Sequence, residues 1–210
     1  DFNYTQASFE VTKRTAYVTL SANNVTYGNE PQVTFSHSGF IAEDADKISL
    51  DFTFDGKLTV GSHTVTATIT DEYINKNYNT QVTGAQFSVA KATLQVTVTA
   101  QNVTYGQNPA VSYDVTGFAD GEDDGVLDGS IVYTYQKDSE NYTQSVFTVG
   151  NYTVTASGLS ADNYDFNYTQ ASFKVSKKQV TVTVSAQDVT FGQSTDVSFT
   201  VGKLAFEDTQ

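Results

Sequence analysis

The residues best placed to do chemistry are the acidic run Asp120-Gly-Glu-Asp-Asp-Gly125 and two histidines, His37 and His63. Asp120, Glu122 and Asp124 imitate the start of a calcium loop of the EF-hand kind, where carboxylates at alternate positions supply hard oxygen ligands. The twelfth position from Asp120 is Ile131, not the bidentate Glu that such a loop needs. The run therefore reads first as a solvated acidic turn, with some Ca²⁺ binding as the alternative. Both histidines lie on alternating, strand-like stretches, where packing or exposure accounts for them better than metal binding or proton transfer. Ser, His and Asp are present, but in no nucleophile elbow or triad context. With no cysteine in 210 residues, thiolate metal sites and disulfide frameworks are excluded. No catalytic, cofactor-binding or metal-ligating residue is nominated, no cofactor is expected, and the chain is expected not to be an enzyme.

Two further residue types could carry recognition. Asn3, Asn24, Asn102, Asn141, Asn151 and Asn167 each stand two residues before a Thr, the glycosylation acceptor pattern. In a chain this rich in Asn and Thr the pattern arises by chance and by repetition. Tyrosine rings could stack on sugars, but Tyr27, Tyr105, Tyr152 and Tyr164 recur at regular places, which favours core and corner roles.

Those places are set by a repeat. Asn24–Gly28 reads Asn-Val-Thr-Tyr-Gly, Asn102–Gly106 repeats it, and Asp188–Gly192 gives a weakened copy with Phe191 for Tyr. The separations are 78 and then 86 residues, and their total, 164, separates Asp1–Phe9 from an identical run at Asp165–Phe173. Two related units alternate, each the length of one small domain and too long for most solenoid repeats. The Lys-bearing junctions at Lys13, Lys91 and Lys177 supply boundaries. Residues 1–13 then read as the terminal strand of a preceding repeat. Residues 14–91 and 92–177 are complete repeats, and 178–210 is the truncated start of a third.

Composition agrees with a strand-rich, turn-rich chain. Thr, Val, Tyr, Phe, Asn and Gly dominate, with two prolines in the whole sequence. Each repeat opens on a strict alternation: Ala16, Val18, Leu20 and Ala22, then Leu94, Val96, Val98 and Ala100, then Val180, Val182, Val184 and Ala186. Period two is the mark of a half-buried strand. Later, Tyr152 stands two residues before Val154 at the start of a late strand, the arrangement of a tyrosine corner; His63 takes its place in the first repeat. Phe87 and Val89, and Phe173 and Val175, face inward on the closing strands. No stretch sustains a helical period. About seven short strands per repeat predict an all-β fold of tandem immunoglobulin-like β-sandwich domains. The alternative is β-grasp-like repeats, with a helical turn hidden in the acidic segment. The second repeat is longer between Phe118 and Val149 than the first between Phe40 and Val60, which places an insertion in a loop or hairpin.

The net charge of −13 argues against nucleic acid or an anionic membrane as partner. No apolar run is long enough for membrane insertion. The absence of methionine suggests an internal piece of a longer chain.

The motifs Tyr27-Gly28, Pro31, Gly39-Phe40, Val60-Gly61, Asn77-Tyr78 and Phe87-Ser-Val89 return in order. Their counterparts are Tyr105-Gly106, Pro109, Gly117-Phe118, Val149-Gly150, Asn163-Tyr164 and Phe173-Lys-Val175. Together they resemble the MBG-type repeats of the Tyr-Gly-X class, found in Gram-positive surface proteins such as those of lactobacilli. His63, Phe191 and Thr195 depart from the pattern. The resemblance implies an extracellular, cell-wall anchored adhesin that attaches to mucin or another host glycoprotein or glycan, with neighbouring repeats of the same chain as further partners. The alternative is a passive stalk of spacer domains projecting a distant binding domain. The family supplies no catalytic residue.

Overall fold

Alternation builds the first strand. In the computed structural model, whose described residues are 1–206, β1 (Arg14–Ala22) buries Ala16, Val18 and Leu20 and turns Tyr17 and Thr19 outward. There follow β2 (Val25–Thr26), β3 (Val33–Ser38), β4 (Leu50–Phe54), β5 (Gly61–Ile69), β6 (Tyr78–Thr83) and β7 (Ala85–Ala90). They form two sheets, ordered β3-β1-β6 and β2-β7-β5-β4. Between them, where β1 packs against β5 and β7, lie Ala16, Val18, Leu20, Val65, Phe87 and Val89, all buried. Each of the valine, leucine and phenylalanine side chains contributes about 1.5–3 kcal/mol of hydrophobic stabilisation.

The fold is all-β, as the sequence predicts. Its pairing is mixed. β1 runs antiparallel to β3, with Leu20 opposite Phe35, and parallel to β6, with Val18 opposite Val82. β2 runs parallel to β7. The one α-helix among the described residues is α1 (Glu72–Asn77), six residues long, too short to show a period in sequence. Its start is fixed by Asp71, whose carboxylate accepts the Ile74 N–H at 2.9 Å. The turn delivers Ile74 into contact with Ala16 and Tyr78. A 3-10 turn at Ala42–Lys47 occupies the first acidic segment.

The second repeat follows with β8 (Ala92–Ala100), β9 (Val103–Thr104), β10 (Val111–Thr116), β11 (Asp128–Lys137), β12 (Glu140–Tyr142), β13 (Gly150–Ser160), β14 (Tyr164–Thr169) and β15 (Ala171–Ser176). The sheets are β10-β8-β14 and β12-β11-β13-β15-β9. The insertion is a hairpin. β11 turns into β12 through Asp138 and Ser139, with φ of 52° and 69°, the positive pair that a two-residue turn of type I′ requires. The added segment brings Tyr142 and Phe147 onto a core of Val98, Tyr152, Val154, Ala156, Phe173 and Val175. Between β11 and β13 the register shifts at Gly129. Gly129 and Gly158 both have positive φ, and a Cβ on either would meet a backbone carbonyl of the facing strand.

Two strands, β16 (Val182–Ala186) and β17 (Val197–Val201), pair in the segment that the sequence reads as the start of a third repeat. The segment assigned to it, 178–210, extends beyond the described residues after Phe206. Residues 1–13 form no strand. Their counterparts in β14 and β15 are held by the other strands of a repeat, and residues 1–13 lack those neighbours.

The chain divides into two compact units. The first comprises Asp1–Thr93 with Phe118–Asp123 and Ala161–Asp165, and the second the remainder. Among the described residues, no helix is long and apolar enough to cross a membrane.

Candidate functional site

The Asn-Val-Thr-Tyr-Gly motif is a clasp. In the first unit the Asn24 Oδ1 accepts the Ser88 N–H at 2.8 Å, Val25 and Thr26 pair with Val89 and Ala90, and the Tyr27 N–H donates to the Ala90 carbonyl at 2.8 Å. Gly28 has φ of +86°, and a Cβ built there would lie 2.9 Å from the Ala119 Cβ. Only glycine meets both the turn and that approach. The second unit repeats the clasp. Asn102 Oδ1 accepts the Lys174 N–H at 2.7 Å, and the Tyr105 N–H donates to Ser176 at 2.8 Å. A Cβ on Gly106 would lie 2.8 Å from the Ala205 Cβ, and the Tyr105 ring meets Phe206 edge-on at 5.4 Å.

In the first unit the clasp closes on a carboxylate. The Tyr27 hydroxyl donates to Glu122 Oε1 at 2.6 Å, and the Tyr164 hydroxyl donates to Glu122 Oε2 at 2.6 Å. Tyr164 in turn accepts the Ala119 N–H at 2.8 Å. The two rings stand edge to face, 5.3 Å apart at 85°. The hydroxyls of Tyr164 and Tyr27 hold the Glu122 carboxyl below its usual range. The Glu122 carboxylate, aided by burial, pushes the Tyr27 phenol up to about 12. A phenol that weak an acid has no proton to give near neutral pH. The cluster is a hydrogen-bonded anchor.

The first repeat has its own version. Asp44, 2% exposed, accepts the Tyr78 hydroxyl on Oδ2 at 2.8 Å and Lys47 on Oδ1 at 2.7 Å. The Ile41 N–H donates to the Tyr78 hydroxyl at 3.2 Å. Lys47, then Tyr78, hold the Asp44 carboxyl below its ordinary value.

Thus the acidic run that imitates a calcium loop is put to another use. Glu122 turns to two tyrosines, while Asp120 and Asp124 lie exposed. Among the described residues, no group of three or more His, Asp or Glu side chains is placed to hold a metal ion. His37 is exposed on β3, with Phe40 edge-on at 5.8 Å.

The two corners are variants of one contact. Tyr152 is 1% exposed and its hydroxyl donates to the Thr148 carbonyl, four residues upstream, at 2.8 Å. Tyr152→Phe is expected to cost about 1 kcal/mol in urea unfolding, the value of one such bond. An unchanged midpoint would remove the corner from the list of stabilising contacts. In the first repeat His63 reaches the corresponding carbonyl, Thr59, through Nε2 at 2.7 Å, and Asp55 through Nδ1 at 2.9 Å. The Thr59 carbonyl and the Asp55 carboxylate raise the His63 pKa above its ordinary 6.5. His63 and the Thr64 N–H lower that of Asp55 below 3.8. The His63 contribution is therefore complete below its unfolded value and is lost as pH rises through the raised one. That of Asp55 is present above its unfolded value and is lost as pH falls through the lowered one. Both act together in mildly acidic solution. The first unit is expected to melt higher at about pH 5.5 than at about pH 8. His63→Tyr should flatten that difference; a variant that keeps it places the titrating group elsewhere.

Sequence reasoning missed Glu122 as a shared acceptor and Asn24 and Asn102 as latches. The signal was there in the spacing. Asp44 and Glu122 are both acidic at a separation of 78, and Tyr78 and Tyr164 correspond at 86.

Residues 94–174 match the family model of the MBG domain, YGX type. The Tyr105–Gly106 clasp lies inside the matched stretch. No curated protein matches the chain. Among solved structures the chain is similar to a Drosophila N-cadherin EC1-3 fragment. The identity is 14%, over 78% of this chain and 64% of that one, with a TM-score of 0.24.

Proposed function

We propose that the chain is repeat sequence from a bacterial cell-surface adhesin, exported and held at the cell wall, and that these repeats serve it as a spacer stalk. The observation that carries the reading is the clasp. Inside the first unit the Tyr27–Gly28 corner of one repeat is fastened to Ala119 and Glu122, which belong to the next repeat in sequence. The tyrosines at the motif positions are spent on that fastening and on the core. A net charge of −13 also opposes contact with sialylated or sulfated glycans.

A second reading, attachment to mucin or another host glycoprotein, has one observation in its favour. Phe35 and Tyr113 occupy corresponding positions on the edge strands β3 and β10 and are 40% and 41% exposed. A repeated, accessible ring on a sheet edge is a stacking platform for sugars. Retention of the chain on a mucin-coated surface separates the two. The stalk reading expects no more retention than on albumin. Retention that Phe35→Ala with Tyr113→Ala abolishes would replace it with the second.

A further inference from the structure

Each clasp rests on a carbonyl at the end of a closing strand and a side chain beneath the glycine, and the one on Glu122 adds a carboxylate that already holds a tyrosine hydroxyl. The beginning of the chain presents the same set in the same register. Asp1–Phe9 repeats Asp165–Phe173 residue for residue, so Thr12 corresponds to Ser176, whose carbonyl accepts the Tyr105 N–H. Lys13 donates to the Asn75 carbonyl at 2.7 Å, as its counterpart Lys91 donates to the Ala161 carbonyl at 3.1 Å. The N-terminal segment is thereby seated on the first repeat as residues 90 and 91 are seated at the junction that follows. Ile41 stands in the place of Ala119, Asp44 in that of Glu122, and Tyr78 in that of Tyr164.

Val11, Thr12, Ile41, Asp44 and Tyr78 line an open cleft of about 280 Å³. Its apolar part is Ile41, 42% exposed, with Val11, 84% exposed, beside it. Its polar lining includes the Asp44 carboxylate, Lys13, Arg14 and Lys76. An ionised carboxylate has about four acceptor positions, and Asp44 uses three of them, for Tyr78, Lys47 and Tyr73.

We propose that this cleft is the seat for the Tyr-Gly corner of a further repeat of the same kind, joined through Asp1, with Asp44 accepting its tyrosine hydroxyl and Ile41 lying under its glycine. The register argues for this occupant over a second copy of the chain. Tyr27 is already bound to Glu122, and the exposed corner of the third repeat carries Phe191, which has no hydroxyl to donate. The inference rests on the stalk reading only in using the same contact; it does not depend on what the adhesin binds.

The test restores the missing corner. Placing a copy of residues 92–164 ahead of Asp1 rebuilds a repeat that runs on through residues 1–13, with a Tyr-Gly corner copied from Tyr105–Gly106. Amide hydrogen exchange over residues 41–47 is then compared with that of the 210-residue chain. The expected result is exchange slowed about tenfold, the size of one hydrogen bond to a charged group. Tyr→Phe at the copied corner, which leaves the first repeat untouched, should return the exchange to its original rate. Asp44→Asn should do the same, with no further loss in the double variant. Unchanged exchange on extension, or additive effects of the two substitutions, would overturn the proposal. Slowing in the unextended chain that grows with concentration would overturn it in favour of a second copy. Tyr27→Phe, read by exchange over residues 118–123, reports on the clasp already seen, so failure of the stalk contact is distinguished from failure of this one.

Discussion

Glu122→Leu is expected to destabilise the first unit by about 3 kcal/mol, because two tyrosine hydroxyls lose a charged acceptor at once and each such bond is worth about 1.5–3 kcal/mol. Both hydroxyls reach Glu122 at 2.6 Å, and Tyr164 lies buried. Amide exchange across β2 and β7 reads the change where the clasp holds. Glu122→Gln keeps the shape and one acceptor, so its cost should be smaller. The pH dependence separates the two components. The Glu122 carboxyl is held below its ordinary 4.5, so its contribution is present above that value and is lost as pH falls through the lowered one. Tyr27, raised from 10 to about 12, stabilises fully below pH 10 and loses that contribution as pH rises towards 12. Glu122→Gln should blunt the acid limb. If Glu122→Leu exchanges like the parent chain, the cluster is not what fastens the corner.

Phe173→Ala should cost the second unit about 3–5 kcal/mol, the range for removing a large aromatic from a packed core. Phe173 is 3% exposed, stacked on Tyr152 at 5.1 Å and 8°. Phe147 and Tyr135 meet it edge-on at 5.6 Å and 6.2 Å. Three neighbouring rings lose contacts together, and no polar group is stranded. The total stability of a domain is about 5–15 kcal/mol, so a urea titration should show the second unit unfolding well before the first. A loss below about 1 kcal/mol would mean that the ring cluster closes over the gap, against what a core of this density allows.

The opening strands of the first two repeats were legible because their burial follows a period of two, whereas Val182 and Val184, which alternate in the same way on β16, are exposed. Ala16, Val18 and Leu20, and Leu94, Val96 and Val98, are buried where alternation puts them, as are Phe87, Val89, Phe173 and Val175. Tyr152 was legible because its corner is local, four residues from the carbonyl that it binds. The parallel pairing of β1 with β6 was not, since it joins segments some sixty residues apart and leaves no mark on either pattern. Glu122 was misread for a related reason. A carboxylate in a run of carboxylates looks solvated, and its partners Tyr27 and Tyr164 are far away in sequence. His63 looked like a weakened corner because it is not Tyr, yet its Nε2 reaches the same carbonyl. What matters at that position is a planar ring with a donor at its far end.

The places of the first and last strands within the first repeat have a consequence under tension. β1, by which the chain enters, lies between β3 and β6; β7, by which it leaves, lies between β2 and β5. A pull applied at Arg14 and Ala90 therefore acts along two strands that are each hydrogen-bonded on both flanks. The bonds on each flank bear the force in parallel, as shear, where an edge strand would peel away one bond at a time. Resistance to being drawn out is thus set by strand order, separately from the free energy of unfolding in solution.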